Sequence, residues 1–150
     1  MEDPRGGEEM RKRPLLAVLF IFLTAPLSWS GEGIPCKNCG MDVNKFPHTK
    51  YLVRTTLGEE WVACGVQCGL TLHLHLKDKF RSGTALDLFT NKPFDARMGF
   101  YVYKSTAITD MAPGFISFAS RSNAEKFAKG FGGQVVSYEE ALKIWKKQMQ

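Results

Sequence analysis

Tyr51-Leu-Val-Arg-Thr-Thr-Leu57, Gly58-Glu59, Glu60-Trp-Val-Ala63 and Cys64-Gly-Val-Gln-Cys68 form the stretch on which the architecture turns. The sequence predicts a strand over residues 51–57, a turn at Gly58-Glu59 and a short second strand over residues 60–63. It then predicts a helix from about residue 66 to 80, because the run is long and Val66, Leu70 and Leu74 recur every four residues. This is one small unit of strand, turn, strand and helix.

A similar order recurs downstream. Residues 85–90 and 99–103 read as strands with Asn91-Lys92-Pro93 as the turn between them, and residues 114–119 as a third. Ser122-Asn123-Ala124-Glu125 reads as a capping box that opens a short helix, stopped at Gly130, Gly132 and Gly133. Residues 134–137 make another strand. Ser137-Tyr138-Glu139-Glu140 then caps a last helix whose terminal lysines suit the negative helix end. Strands interspersed with short helices argue an α+β fold. The best candidate boundary is Arg81-Ser-Gly-Thr84, which divides the chain into residues 31–82 and 83–150 behind an N-terminal segment of residues 1–30.

The composition excludes whole classes. With 150 residues, 44% apolar and 23% charged, the chain is neither disordered, collagen-like nor a pure coiled coil. Residues 1–30 carry four acids and four bases, so the formal charge of +5 belongs to the rest. Those bases are spread out rather than gathered on a face with interleaved aromatics, which argues against nucleic acid as a partner and for a solvated surface.

The N-terminus addresses the compartment. Arg11-Lys12-Arg13 precede the apolar run Leu15–Leu23, then Pro26 and Ser28-Trp29-Ser30 before Gly31. Positive region, short hydrophobic region and small residues at the −3 and −1 sites are the order of a secretory signal, with a leader of conventional length if Met10 is the start. The apolar run is short for a membrane span of ~20 residues, although it can be stretched to Leu27 to serve as an uncleaved anchor. The expectation is an exported, periplasmic-type protein, cleaved after Ser30 or held at the membrane through the uncleaved segment.

Four cysteines fall into two close pairs, spaced C-x2-C-x24-C-x3-C at Cys36, Cys39, Cys64 and Cys68. In an oxidising compartment such pairs can be disulfides, in any of three connectivities. Yet Cys36-Lys37-Asn38-Cys39-Gly40-Met41 has the tight turn followed by glycine that lets two thiolates converge on one ion. The i, i+4 pair Cys64 and Cys68 shares one face of a helix, near an N-terminus whose dipole favours thiolate. Four thiolates can close a structural zinc site. Met41, next to the first pair, and Met111, in Thr109-Asp110-Met111-Ala112-Pro113-Gly114, add thioethers, and thiolate with thioether is a soft set that selects Cu(I). Either methionine can equally be core filling.

The histidines carry less. His73 and His75 would point to nearly opposite faces of a helix and cannot chelate one ion, so solvent-facing or hydrogen-bonded roles are expected. His48, in the Phe46-Pro47-His48-Thr49 loop, is an accessory candidate.

Cys36-x-x-Cys39-Gly40-Met41, Phe46-Pro47, Trp61-Val62-Ala63-Cys64, Asp95-Ala96 before Tyr101-Val102, Met111 ahead of Ile116-Ser117-Phe118, Ala124-Glu125 and Gly132-Gly133-x-Val135 together resemble the NosL family. That family comprises exported copper-binding accessory proteins of nitrous oxide reductase maturation, in denitrification. The resemblance runs from about Cys36 to Ala141. It implies two homologous ββαβ units, a Cu(I) cargo, no enzymatic activity, and the reductase with its maturation machinery as partners. It places a ligand at Met111. Three features depart from the family pattern. No lipobox cysteine is present, Phe131 stands where relatives often carry His, and Thr109-Asp110-Met111-Ala112 replaces a Gly-x-Met-Gly turn.

The candidate metal set is therefore Cys36, Cys39, Met41, Cys64, Cys68 and Met111, with Cu(I) as the expected ion and Zn as the alternative. Two rival functions are a structural zinc module for protein interaction and a thiol redox protein using Cys36 and Cys39. Against the latter, Ile34-Pro35 and Gly40-Met41 place the pair in a loop rather than at a thioredoxin-like helix start.

Overall fold

The computed structural model describes residues 33–109, 111, 112 and 114–150. The signal or anchor expected over residues 1–30 lies outside them, and no helix among the described residues is long and apolar enough to cross a membrane.

β1 (Tyr51–Thr55) and β2 (Glu60–Ala63) form an antiparallel hairpin, Tyr51 opposite Ala63 and Arg54 opposite Glu60. α1 (Val66–Leu76) follows, and β3 (Phe80–Leu86) returns antiparallel along the free side of β1. β4 (Pro93–Asp95) adds an edge to β3, giving the order β2-β1-β3-β4. The second sheet repeats the plan. β5 (Phe100–Tyr103) pairs with β6 (Phe115–Phe118), α2 (Arg121–Phe131) crosses, and β7 (Gln134–Ser137) returns beside β5 in the order β6-β5-β7. α3 (Tyr138–Gln148) closes the chain. Two ββαβ units are thus present in an α+β fold, as expected, and both have their first strand in the middle of the sheet.

The expected boundaries shift for identifiable reasons. The first strand ends at Thr55 because Thr55, Thr56, Leu57 and Gly58 turn, with Gly58 at φ 85° and Leu57 left 78% exposed. α1 ends at Leu76, four residues before the expected Phe80. Lys77 takes φ 50°, and the three charged residues Lys77-Asp78-Lys79 have no apolar side to bury and wind into a 3-10 turn. Phe80, buried, opens β3 instead.

The boundary expected at residues 81–84 falls inside β3. Gly83 there is a packing residue rather than a linker. A β-carbon on Gly83 or on Gly69 of α1 would collide with the Tyr51 side chain, so these two glycines make the slot that holds a fully buried tyrosine between helix and sheet. The two ββαβ units separate only after β3. Asn91-Lys92-Pro93 also does something different from the expectation: it joins β3 to the edge strand β4 inside the first sheet, and Pro93 is tolerated there because an edge strand needs fewer ladder donors.

The α2 cap lies two residues earlier than expected, with Ser120 accepting from the Asn123 amide. The box at α3 is as expected: Ser137 Oγ accepts from the Glu140 amide at 3.3 Å and Glu140 Oε2 from the Ser137 amide at 2.7 Å.

Asp87 joins the two sheets. Buried just past β3, it accepts from the Phe89 and Thr90 amides and the Thr90 hydroxyl at 2.9–3.1 Å through Oδ1, and from the Ala119 amide beyond β6 at 2.7 Å through Oδ2. Ser117 Oγ donates to the Leu86 carbonyl at 2.7 Å beside it. Burial raises the Asp87 pKa, but these donors outweigh it and hold the carboxyl below its ordinary value. α3 packs on α1 through Trp145, whose Nε1 donates to Thr71 Oγ1 at 2.8 Å.

Candidate metal centre

The first cysteine pair sits on a knuckle built by backbone hydrogen bonds. The Cys36 amide donates to the Met41 carbonyl at 2.7 Å and the Gly40 amide to the Cys36 carbonyl at 2.9 Å, a reversal that Gly40 closes at φ 77°. The Lys37 amide donates to the Val62 carbonyl at 2.8 Å, which fixes the knuckle to β2. The second pair straddles the start of α1. Cys64 follows β2, Gly65 is the N-cap residue and Cys68 lies in the first turn. Thr49 Oγ1 donates to the Cys64 carbonyl at 2.7 Å and ties the loop after the knuckle to the same corner.

Two segments 25 residues apart thereby bring four thiols together. Every Sγ of Cys36, Cys39, Cys64 and Cys68 lies within 4.8 Å of the others. Cys64 Sγ is 3.6 Å from Cys39 Sγ and 3.6 Å from Cys68 Sγ. All four are free thiols; Cys36, Cys64 and Cys68 are buried and Cys39 is exposed. Met111 Sδ lies 3.8 Å from Cys68 Sγ, so a thioether reaches the cluster from the loop before β6. Met41 is half-buried against the core that includes Cys36 and supplies the carbonyl that closes the knuckle. Among the described residues, the cysteine–methionine sulfur hydrogen bond is the one between Cys68 and Met111.

The electrostatics differ from the expectation that the helix start would favour thiolate at the second pair. Burial pushes Cys64 far up, reinforced by its neighbour Cys68, and pushes Cys68 up to about 12. Cys36 is the lowered thiol. Burial opposes its ionisation, but the amides of Cys39, Cys64 and Asn38 together outweigh it and bring the pKa to about 7. The donor set fits a soft cation: three buried sulfurs converge, one sulfur is open, and a positive ion would relieve the crowding that keeps the thiols protonated.

His48 is exposed, with Nδ1 3.4 Å from Asn91 Oδ1, and is not part of the thiol group. His75 is exposed. His73 shares a 2.7 Å hydrogen bond with the Tyr138 hydroxyl and stacks on Phe80 with ring centroids 3.8 Å apart. Two site residues were not singled out from the sequence. Asn38 Nδ2 donates to Cys68 Sγ at 3.3 Å, and Gln67 Nε2 donates to the Met111 carbonyl at 2.9 Å. Both lie inside the cysteine spacings, Asn38 exposed on the knuckle and Gln67 buried on the first turn of α1, and position between paired cysteines was the signal the sequence offered.

The family model for NosL matches residues 31–143. Among solved structures, the copper chaperone NosL from Shewanella denitrificans has a similar fold, with a TM-score of 0.65 and 22% identity over 71% of this chain and 88% of that one. No curated protein matches the chain. A family match over residues 31–143 covers the knuckle, both cysteine pairs and both ββαβ units, and on it the chain belongs to the NosL family.

Proposed function

We propose that the protein is an exported Cu(I) metallochaperone that carries copper to an extracytoplasmic cuproenzyme, with nitrous oxide reductase as the client. The observation that carries this reading is the soft donor set: four thiols mutually within 4.8 Å and the Met111 thioether 3.8 Å from Cys68. Family membership and the copper chaperone of similar fold support copper as the cargo. The signal-like Arg11–Ser30 segment supports export, and retained uncleaved it would hold the carrier at the membrane.

A carrier needs affinity without kinetic trapping. Cys36, Cys64 and Cys68 offer an enclosed set of sulfurs, whereas Cys39 is the thiol that solvent and a partner can reach. Copper held by two or three sulfurs has an open coordination position. A ligand from the client attacks at the Cys39 side, a shared intermediate forms, and the carrier's sulfurs leave one at a time. No substrate bond is made or broken, so the protein acts as a carrier rather than an enzyme.

One observation favours a second reading. A tetrahedral zinc tetrathiolate with Zn–S bonds of about 2.3 Å has sulfurs about 3.8 Å apart, close to the spacing of this group. Mixing Cu(I)-loaded protein anaerobically with copper-free nitrous oxide reductase, followed by separation and metal analysis, tests the two. The carrier reading expects copper to move to the reductase. The zinc reading expects one zinc in the protein as purified, no copper transfer, and unfolding on chelation.

A further inference from the structure

Gln67 is a polar side chain in an otherwise apolar position. It lies on the first turn of α1 between Cys64 and Cys68 and is 1% exposed, and its Oε1 has no hydrogen-bond partner among the described residues. A buried amide with half its capacity unmet is costly, and a leucine of similar size would avoid that cost. What glutamine supplies and leucine would not is the donor Nε2, which reaches the Met111 carbonyl at 2.9 Å.

The same carbonyl is held from a second side by Thr109 Oγ1, also at 2.9 Å. Gly114 leaves the room for both. A β-carbon there would collide with Thr109 Oγ1 and lie 2.7 Å from the Met111 carbonyl oxygen and 3.1 Å from Gln67 Nε2. Three residues thus converge on one backbone oxygen. One position after Gln67, Cys68 Sγ meets Met111 Sδ at 3.8 Å. A single turn of α1 therefore grips Met111 at both ends, the backbone through Gln67 and the thioether beside Cys68.

We propose that Gln67 is the positioning residue that seats Met111 as a copper ligand, and through it sets the preference of the thiol cluster for Cu(I) over Zn(II). A methionine has three rotatable bonds and sits here on a loop, so its sulfur is a useful ligand only when its backbone is anchored. The thioether is the donor that distinguishes a copper set from the closed tetrathiolate suited to zinc. This rests on the reading of Met111 as a ligand.

The test is selenium-edge X-ray absorption on selenomethionine-labelled protein loaded anaerobically with Cu(I), with Met111→Leu as reference. The wild type is expected to show a copper–selenium contribution that Met111→Leu abolishes. Gln67→Leu is expected to lose most of it while still binding copper through its thiols. Its Cu(I) affinity should fall about tenfold, the scale of a supporting-residue loss, and the double variant should fall no further than Met111→Leu. A full copper–selenium contribution in Gln67→Leu overturns the proposal and leaves Met111 as a ligand. A wild type with no Met111-dependent contribution removes the ligand reading and this proposal with it. If Gln67→Leu does not fold, Gly114→Ala crowds the same carbonyl with Gln67 in place: the same loss is expected, and an unchanged contribution overturns the proposal.

Discussion

Cys39 Sγ and Cys64 Sγ lie 3.6 Å apart across 25 residues of chain, yet Cys64 is completely buried and Cys39 is open to solvent. Two sulfurs that share one ion would therefore serve different ends of a transfer, one retaining and one releasing. Cys64→Ser is expected to weaken Cu(I) binding by at least tenfold, since it removes a central thiolate and leaves a hydroxyl buried among sulfurs. Cys39→Ser should lose less affinity and show a larger drop in the rate of handover to an acceptor. Competition titration and stopped-flow transfer measure the two effects. Equal losses of affinity and rate in both variants would mean that exposure has no bearing on release.

Gly83 decides the packing of the first sheet. Gly83→Ala pushes a methyl group into the Tyr51 side chain, which is fully buried and cannot retreat, and is expected to cost about 1–3 kcal/mol, the scale of an overpacked core. Urea denaturation of the metal-free, reduced protein measures it. A change within about 0.5 kcal/mol would place Gly83 among ordinary surface positions and contradict the packing.

That glycine also explains where the sequence was hard to read. Arg81-Ser-Gly-Thr84 has the composition of a linker, and only the distant Tyr51 makes it the middle of a strand. Local signals worked where the cause was local: the Gly58 turn, the Ser137 box and the C-x-x-C-Gly knuckle are all set by neighbours in sequence. The four cysteines could be grouped from their spacing because the knuckle and the helix start each fix their own pair. What joins the pairs is tertiary, the Lys37 amide on Val62 and Thr49 on the Cys64 carbonyl, and no periodicity reports it. At Cys64 and Cys68 burial overrides the helix dipole, and the dipole is legible from sequence whereas burial is not.

Asp87 links stability to acid. Its carboxyl is held below the ordinary value of 3.8, so the folded state favours the charged form more than the unfolded chain does. The resulting stabilisation is fully present above about pH 4 and is lost as pH falls through the lowered folded value. Asp87→Ala strands the amides of Phe89, Thr90 and Ala119 and is expected to cost on the order of 3 kcal/mol near neutral pH, with a smaller difference from wild type in strong acid. Denaturation midpoints at several pH values test this. A difference that does not shrink in acid would show that the carboxylate's charge plays no part.

Ser137→Ala removes the reciprocal cap of α3 and is expected to cost about 1 kcal/mol, with no effect on copper affinity because neither Ser137 nor Glu140 hydrogen-bonds to a residue of the thiol group. Thermal unfolding and a copper titration on the same preparation check both halves. A cap variant that weakened copper binding would tie α3 to the site more closely than its packing on α1 implies.

The paired cysteines and Met111 are proposed to hold Cu(I) as one site. Anaerobic titration of the reduced protein with Cu(I) against a competing chromogenic chelator addresses it most directly, run on the wild type and on a variant with all four cysteines changed to serine. The wild type is expected to take copper from the chelator, and the variant, though folded by circular dichroism, to take none. A folded variant that competes as well as the wild type would contradict it.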